Sequence, residues 1–228
     1  MYYLVLDIET APIPNAADFL PVGDIAAPSN YTDPVKIAAS IEKQRQKLIA
    51  DAALDLDLAR IVTIGTWDQH HGTWVKTLES EAAEAAALSV LASALRRPSV
   101  DGNDAMLITF NGHKYDLPLL MRRARYLGVK FPEINLDRYR SPHIDLYDVL
   151  SMKRNDIKAH GLRWYFRRLG YTDLLAADPL EKGGSDVGQA IAEGRWDDVA
   201  AHCRCDIEGT VRLATWMGIL PAKPEADF

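Results

Sequence analysis

The chain has 228 residues, with 26 Lys and Arg against 32 Asp and Glu, for a formal net charge of −6. Hydrophobic residues make up 48% and charged residues 25%, the balance of a soluble globular chain long enough for one sizeable core. No apolar run approaches the ~20 residues that span a bilayer, and no basic segment followed by an apolar one marks a signal peptide. Cys203 and Cys205 are the only cysteines, too few and too close for a disulfide framework. The expectation is a cytoplasmic protein with no membrane contact. The acidic balance lacks the basic footprint of most nucleic-acid binders, but it leaves room for an enzyme that gathers phosphates through metal ions and local cationic clusters.

In chain order, Tyr2–Leu6 (YYLVL) is aromatic and aliphatic and predicts a buried strand that ends in the acids of Asp7-Ile8-Glu9-Thr10. Residues 11–30, rich in Pro and small side chains, predict a loop. Asp33 as a cap and Pro34 at the first helical position open a helix expected to run to about Leu58, roughly six turns. Residues 60–67 and 72–78 read as two strands joined by a hairpin through 68–72. An Ala-rich helix over 79–97, a short buried strand over 105–110 and an Asn111-Gly112 turn follow. A helix over 113–128 is closed by Gly128. Residues 141–151 predict a strand running into a helix, and 160–170 and 195–218 two further helices. Residues 181–188 (EKGGSDVG) read as a flexible connection. Strands come early as a meander and then alternate with helices, which predicts an α/β fold with a mixed sheet flanked by helices.

Three places in this order raise a chemical question. Asp7 and Glu9, two apart on a strand, share a face at roughly 7 Å. Burying both as anions is unfavourable unless a cation lies between them, although a strand end facing water would also explain the pair. Asp116 follows the Asn111-Gly112 turn and precedes Pro118, where it could be a helix N-cap. In the last helix, Val199, Cys203, Ile207, Thr210 and Ala214 form one apolar stripe at 100° per residue. Asp206 falls on the edge of that stripe with His202 one turn before it, while Asp197, Arg204 and Glu208 point to water. An acid on a buried edge is uncommon, and an Asp–His surface pair is the plain alternative.

Taken together and in order, LDIET (6–10 with its Leu), FNGHKYDLPLL (110–120) and an Asp in the last helix resemble the three exonuclease motifs of the DEDD (DnaQ-like) superfamily of 3′–5′ exonucleases. Within it the chain is similar to stand-alone exonucleases related to the proofreading domain of family B DNA polymerases, and residues 28–48, 53–65 and 183–203 carry the likeness along nearly the whole chain. The resemblance implies a ribonuclease-H-like mixed β-sheet flanked by α-helices, with residues 1–228 as a single 3′–5′ exonuclease domain. It implies that Asp7, Glu9, Asp116 and Asp206 are the metal-binding carboxylates, holding two divalent ions, Mg²⁺ or Mn²⁺, with Asp7 as the bridge. Hard cations of this kind suit oxygen ligands, and like charges ~4 Å apart cost about 4 kcal/mol at an effective dielectric of 20. A two-metal site would hydrolyse the phosphodiester in line and release nucleoside 5′-monophosphates.

One position departs from the superfamily pattern, which is Tyr-x-x-x-Asp or His-x-x-x-x-Asp. Here His202-x-x-x-Asp206 places a histidine at the tyrosine spacing. An imidazole suits a general base for the attacking water, so His202 joins the expected catalytic set. Thr10, Asn111, His113 and Tyr115 are the expected substrate contacts, with Lys114 and Lys182 as weaker candidates. Arg122, Arg123 and Arg125, and Arg163, Arg167 and Arg168, read as solvated helix faces, and the helix from Pro34 as substrate flank or scaffold. A zinc site at His202, Cys203 and Cys205 lacks structural-zinc spacing and a fourth ligand. The favoured substrate is single-stranded DNA, with short RNA or a catalytically silent nucleic-acid-binding module as alternatives. Any proofreading is expected to serve a separate polymerase in trans.

Overall fold

Residues 2–96 and 105–221 are described in the computed structural model. Strands β1 (Tyr3–Pro12), β2 (Ala59–Asp68), β3 (Gly72–Thr77), β4 (Met106–Thr109) and β5 (His143–Asp145) form one mixed sheet in the order β3-β2-β1-β4-β5. β1 pairs antiparallel with β2 and parallel with β4, while β2–β3 is antiparallel and β4–β5 parallel. The meander expected from the hairpin at 68–72 therefore supplies one half of the sheet, and the alternation of strand and helix supplies the other.

Alternation along β1 sorts its side chains into two layers. Leu4, Leu6 and Ile8 pack with Leu88 and Leu91 of α2 (Glu81–Leu95) and with Leu117 and Leu120 of α3 (Asp116–Tyr126). Val5 faces the other way, against Ile207, Leu213 and Ala214 of the long last helix (Trp196–Trp216). A sheet between two helical layers results, and the parity that buries Val5 also turns Asp7 and Glu9 toward the last helix. The α2–α3 layer is held by a buried ion pair: Arg123 Nε donates to Glu84 Oε1 at 2.7 Å, and the same carboxylate accepts from the Ile61 amide at 3.0 Å. Arg123 is thus a packing residue, and Arg122 pairs with Asp57 on the surface.

The helix opened by Asp33 and Pro34, α1 (Pro34–Asp51), starts as expected, with Asp33 accepting from the Val35 amide at 2.9 Å. It is shorter than predicted: a 3₁₀ turn over Ala52–Leu54 replaces its last part, and no residue of α1 is buried. Ile37, Ile41, Leu48 and Ile49 are only half-buried along one side of it, so the helix lies on the fold rather than inside a layer. The predicted loop after residue 10 is also corrected, since β1 continues to Pro12 and a 3₁₀ turn spans Ala16–Phe19. The helix predicted over 79–97 forms over Glu81–Leu95, capped by Ser80, and Arg97 lies outside the described residues.

After β5 come α4 (Leu146–Leu150), α5 (Leu162–Leu169), α6 (Thr172–Ala177), α7 (Val187–Ala192) and α8 (Trp196–Trp216). The flexible connection expected over 181–188 is instead a 3₁₀ turn, Gly183–Asp186, leading directly into α7. Val187 and Ala190 bury against Val199 of α8, and Leu180 joins them; the two glycines hid a segment anchored at both ends. Two close approaches seat α8. A Cβ on Gly65 of β2 would lie 2.7 Å from Cys203 Sγ and from Ile207 Cγ1, and one on Gly209 would lie 1.9 Å from Phe166 Cζ of α5. These glycines let α8 lie directly on the sheet and α5 directly on α8.

Candidate active site

Asp7 stands opposite Gly65 in the β1–β2 register, so the glycine that admits α8 also brings that helix over Asp7. Cys203 Sγ of α8 is 3.9 Å from Asp7 Oδ2. The register of β1 shifts between Glu9 and Thr10, a bulge of the kind that re-aims side chains beside functional sites. Ligand atoms of Asp7, Glu9 and Cys203 all lie within 4.8 Å of one another, and so do those of Glu9, His202 and Asp206. Glu9 belongs to both groups. Asp116, at the first turn of α3, comes to the cluster from the far side of β1; Asp7 and Glu9 both feel its charge.

The turn that delivers Asp116 is tightly built. Asn111 adopts φ +63°, a left-handed conformation that Asn tolerates. At Gly112 any Cβ would fall 2.3 Å from Thr109 Oγ1. Tyr115, not Asp116, takes the N-cap position of α3, so Asp116 is left to face the cluster rather than to cap. Asp145 at the end of β5 secures the turn: it accepts from the Asn111 amide at 2.7 Å, the His113 amide at 3.0 Å and the Tyr147 amide at 2.9 Å.

The electrostatics follow from burying acids with few compensating cations. Burial and then the charges of Glu9, Asp116 and Asp206 hold Asp7 well above the usual carboxylate range. Burial, aided by Asp206 and Asp116 and opposed by His202, pushes Glu9 up to about 8. Burial and then Asp145 push Asp116 to about 7, and burial raises Asp206 to about 6 against the pull of His202. Asp206 Oδ1 is buried without a hydrogen-bond partner. An orphaned carboxylate oxygen among mutually repelling acids could be compensated by a cation, and the four carboxylates offer oxygen ligands of the hard kind, with Cys203 Sγ and His202 Nε2 beside them.

Among the described residues, His202 is the one cationic side chain within this group. Its Nδ1 lies 3.0 Å from Asp178 Oδ2, and its Nε2 lies 3.5 Å from Glu9 Oε1 and 3.7 Å from Asp206 Oδ2. Burial pulls its pKa down, but the Asp178 hydrogen bond and the charges of Glu9 and Asp206 outweigh it and raise it to about 9. Asp178 also takes Arg163, which reaches the Leu180 carbonyl at 2.9 Å. Burial pushes the Cys203 thiol well up and Cys205 to about 11, so neither is poised as a thiolate.

The expected substrate contacts divide. Thr10 Oγ1 donates to the Ala53 carbonyl at 2.8 Å, and the Tyr115 hydroxyl stands 3.1 Å from that Oγ1 and against the same carbonyl. Both therefore flank Glu9 and Asp116 in sequence and tie β1 to the turn after α1; burial pushes the Tyr115 phenol to about 12. His113 is spent differently, with its Nδ1 at 2.7 Å from Asp148 Oδ2 and its ring edge-on to His143 at 4.2 Å. Lys114 lies over the Tyr147 ring at 4.8 Å, and the Lys182 amide donates to Asp186 at 2.9 Å.

Asp145, Asp148 and Asp178 were not singled out from the sequence. The first two had a signal, since Asp145-Leu-Tyr-Asp148 repeats the pattern of acids at a strand end seen at Asp7 and Glu9. Asp178 had none: it sits in a short loop 24 residues before its partner His202. No helix among the described residues is long and apolar enough to cross a membrane.

The fold has known counterparts. The chain is similar to the family B DNA polymerase of the hyperthermophilic archaeon Pyrobaculum calidifontis, with a TM-score of 0.56 at 15% identity; the match covers 95% of this chain and 24% of that one. At that identity the likeness establishes the fold, a ribonuclease-H-like α/β sheet. The chain spans about a quarter of the polymerase it matches. No curated protein matches it. A family described as predicted 3′–5′ exonucleases related to the exonuclease domain of PolB matches residues 52–218, a span that holds Asp116, His202 and Asp206 and stops short of β1. The chain belongs to this family of predicted 3′–5′ exonucleases.

Proposed function

We propose that residues 1–228 form one metal-dependent 3′–5′ exonuclease domain that removes nucleoside 5′-monophosphates from single-stranded DNA. The observation that carries this reading is that α8 brings Asp206 to Glu9, which also neighbours Asp7 on β1, with Asp116 in electrostatic reach and Asp206 Oδ1 unpartnered. Asp7, Glu9, Asp116 and Asp206 would hold two Mg²⁺ or Mn²⁺ ions, with Asp7 between them. When bound, such ions supply positive charge for an in-line displacement at phosphorus and make water a better nucleophile.

The remaining roles belong to the chain itself. Asp178 holds the Nδ1 proton of His202, which leaves Nε2 as the nitrogen directed at Glu9 and Asp206. In the metal-free site the Asp178 hydrogen bond and those carboxylates together keep the ring protonated. Neutralising Glu9 and Asp206 would remove two of these supports and leave burial opposed by Asp178 alone, which moves the ring toward the neutral form whose Nε2 can accept the proton of the attacking water. Thr10 and Tyr115 hold the floor of the site by their shared contact with Ala53, and Asn111 presents the turn at the 3′ end.

A second reading rests on the same histidine. An imidazolium 3.5 Å from Glu9 and 3.7 Å from Asp206 already supplies one positive charge between two of the four acids, which a silenced nucleic-acid-binding module could use in place of a metal ion. The test is hydrolysis of 5′-labelled single-stranded DNA and RNA with Mg²⁺ or Mn²⁺. A DNA ladder shortening from the 3′ end and abolished by Asp7→Ala supports the exonuclease. RNA shortening alone shifts the substrate to RNA. Intact strands with retained binding favour the silent module.

A further inference from the structure

A small cavity of about 190 Å³ opens beside the turn that delivers Asp116, and its walls include Lys114, Arg138, Arg154, Lys158, Tyr147 and Asn155. Four cationic side chains around one cavity are unexpected in a chain of net charge −6. Lys114 and Lys158 form no ion pair among the described residues; the Lys114 ammonium lies on the Tyr147 ring instead. Arg154 pairs with Asp156 at 2.7 Å, but both are more than half exposed, and such pairs hold their partners weakly. Arg138 is anchored by buried Asp148 and donates to Asn155 Oδ1 at 3.1 Å, which orients the Asn155 NH₂ as a further donor. Met152 and Lys153 both sit at φ +55° where the chain turns back from α4, a conformation that is costly for residues other than Gly. That turn brings 154–158 round to face Lys114.

We infer that this cavity is a phosphate-binding subsite that holds an internucleotide phosphate of the substrate strand upstream of the scissile bond. The inference rests on the exonuclease reading for its ligand. At ~30 Å³ per water the cavity holds about six waters, room for a hydrated phosphate but below the roughly 300 Å³ of a pocket for a whole small molecule. The donors are the ammonium and guanidinium groups that phosphate recognition uses. Lys114 is two residues from Asp116, so their backbones are within about 7 Å, close enough for one strand to engage both. Next to the cavity, Tyr147 meets Phe110 edge-on at 6.0 Å, Phe110 meets Tyr165 at 6.2 Å, and exposed Trp164 stacks on His160 at 4.1 Å. Phe110 and Tyr165 pack against the core, while exposed Trp164 leaves an aromatic surface near these cations, a pairing that suits a single strand whose bases stack and whose phosphates are neutralised.

The experiment measures binding of 5′-fluorescein-dT8 by anisotropy in EDTA over a range of KCl, for wild type, Lys158→Glu, Lys158→Ala and Arg154→Glu, with dTMP as the short competitor. Lys158 and Arg154 are exposed, and circular dichroism checks that each variant is folded. The inference expects Lys158→Glu and Arg154→Glu to weaken dT8 about tenfold and to lower the slope of log K against log salt by about 0.7 for the lost contact, with dTMP affected less than dT8. Equal affinity and slope in all variants overturns the subsite, and so does an equal loss on dT8 and dTMP. Wild-type hydrolysis of the p-nitrophenyl ester of dTMP with Mn²⁺ separates the two claims. If the ester is cleaved while the variants bind dT8 normally, the subsite falls and the exonuclease stands; if it is not cleaved while the variants lose dT8, the reverse holds.

Discussion

Asp7→Asn should stabilise the metal-free protein, because it removes one charge from a cluster that has too many. Oxygens of Asp7 and Glu9 lie within 4.8 Å, where two unit charges repel by about 3.5 kcal/mol at an effective dielectric of 20. The site can escape only by taking up a proton, and that escape costs about 1.4 kcal/mol more for each pH unit above the pKa. Discounting for the partial exposure of Asp7 leaves about 2–3 kcal/mol at pH 9, where Glu9, raised to about 8, is ionised. For a chain of this size each kcal/mol moves Tm by about 2–4 °C, so Asp7→Asn should melt about 5–10 °C above wild type in EDTA at pH 9. With saturating Mn²⁺ the order should invert, since wild type gains binding energy that the variant has lost. Differential scanning calorimetry in the two buffers reads both signs. An Asp7→Asn protein that melts at or below wild type in EDTA would refute the idea that repulsion among these carboxylates is stored in the fold.

Three further outcomes follow from the same geometry. Between pH 6.5 and 9 the metal-free protein should lose stability, because Asp116, Glu9 and His202 have folded-state pKa values raised to about 7, 8 and 9 and favour the fold only while protonated. His143, buried with its pKa lowered to about 3, is neutral in the fold but partly protonated when unfolded near pH 6.5, so it opposes the trend only at the low end of that window, and there against three groups; a Tm that is flat or rising from pH 7.5 to 9 in EDTA contradicts the assignment. Gly65→Ala should cost about 1–3 kcal/mol by overpacking, since its Cβ would meet Cys203 and Ile207 at 2.7 Å, and should weaken Mn²⁺ binding by lifting α8 from Asp7; urea melts and a Mn²⁺ titration read the two effects. Asp178→Asn removes the acceptor that orients His202 and should lower exonuclease kcat by about 10- to 100-fold, the usual cost of losing such a partner, with KM for the oligonucleotide little changed.

The parts of the site that could be read from sequence are those where a local rule is broken. Acids closing an apolar strand, an Asn-Gly turn before an acid, and an acid on the buried edge of an amphipathic helix each violate the expected pattern, and the fold brings these three segments together. What could not be read depends on contacts without local periodicity. Asp178 reaches His202 from a loop, held there by its pair with Arg163 and by the packing of Leu180 and Val187 against Val199. Residues 183–186 read as a connection because Gly183-Gly184 is an open sequence; its anchoring by α7 is a tertiary effect. The end of α1 was overestimated because Ala, Leu and Asp over 52–57 are acceptable in a helix, whereas the Ala53 carbonyl is needed by Thr10 and Tyr115. The role of Gly65 is invisible in β2 itself and follows only from α8 lying across it.

The most direct measurement is a Mn²⁺ titration of the metal-free protein, with free Mn²⁺ followed by electron paramagnetic resonance in wild type, Asp7→Ala and Asp206→Ala. The carboxylate cluster as a divalent-cation site predicts two Mn²⁺ bound per chain in wild type, with binding tightening from pH 6 to pH 8 as protons leave Glu9 and Asp116, and loss of at least one ion in each variant. Wild type that binds no Mn²⁺ at pH 8, with His202 still protonated beside Glu9 and Asp206, would contradict the account and leave the histidine as the only cation this site accepts.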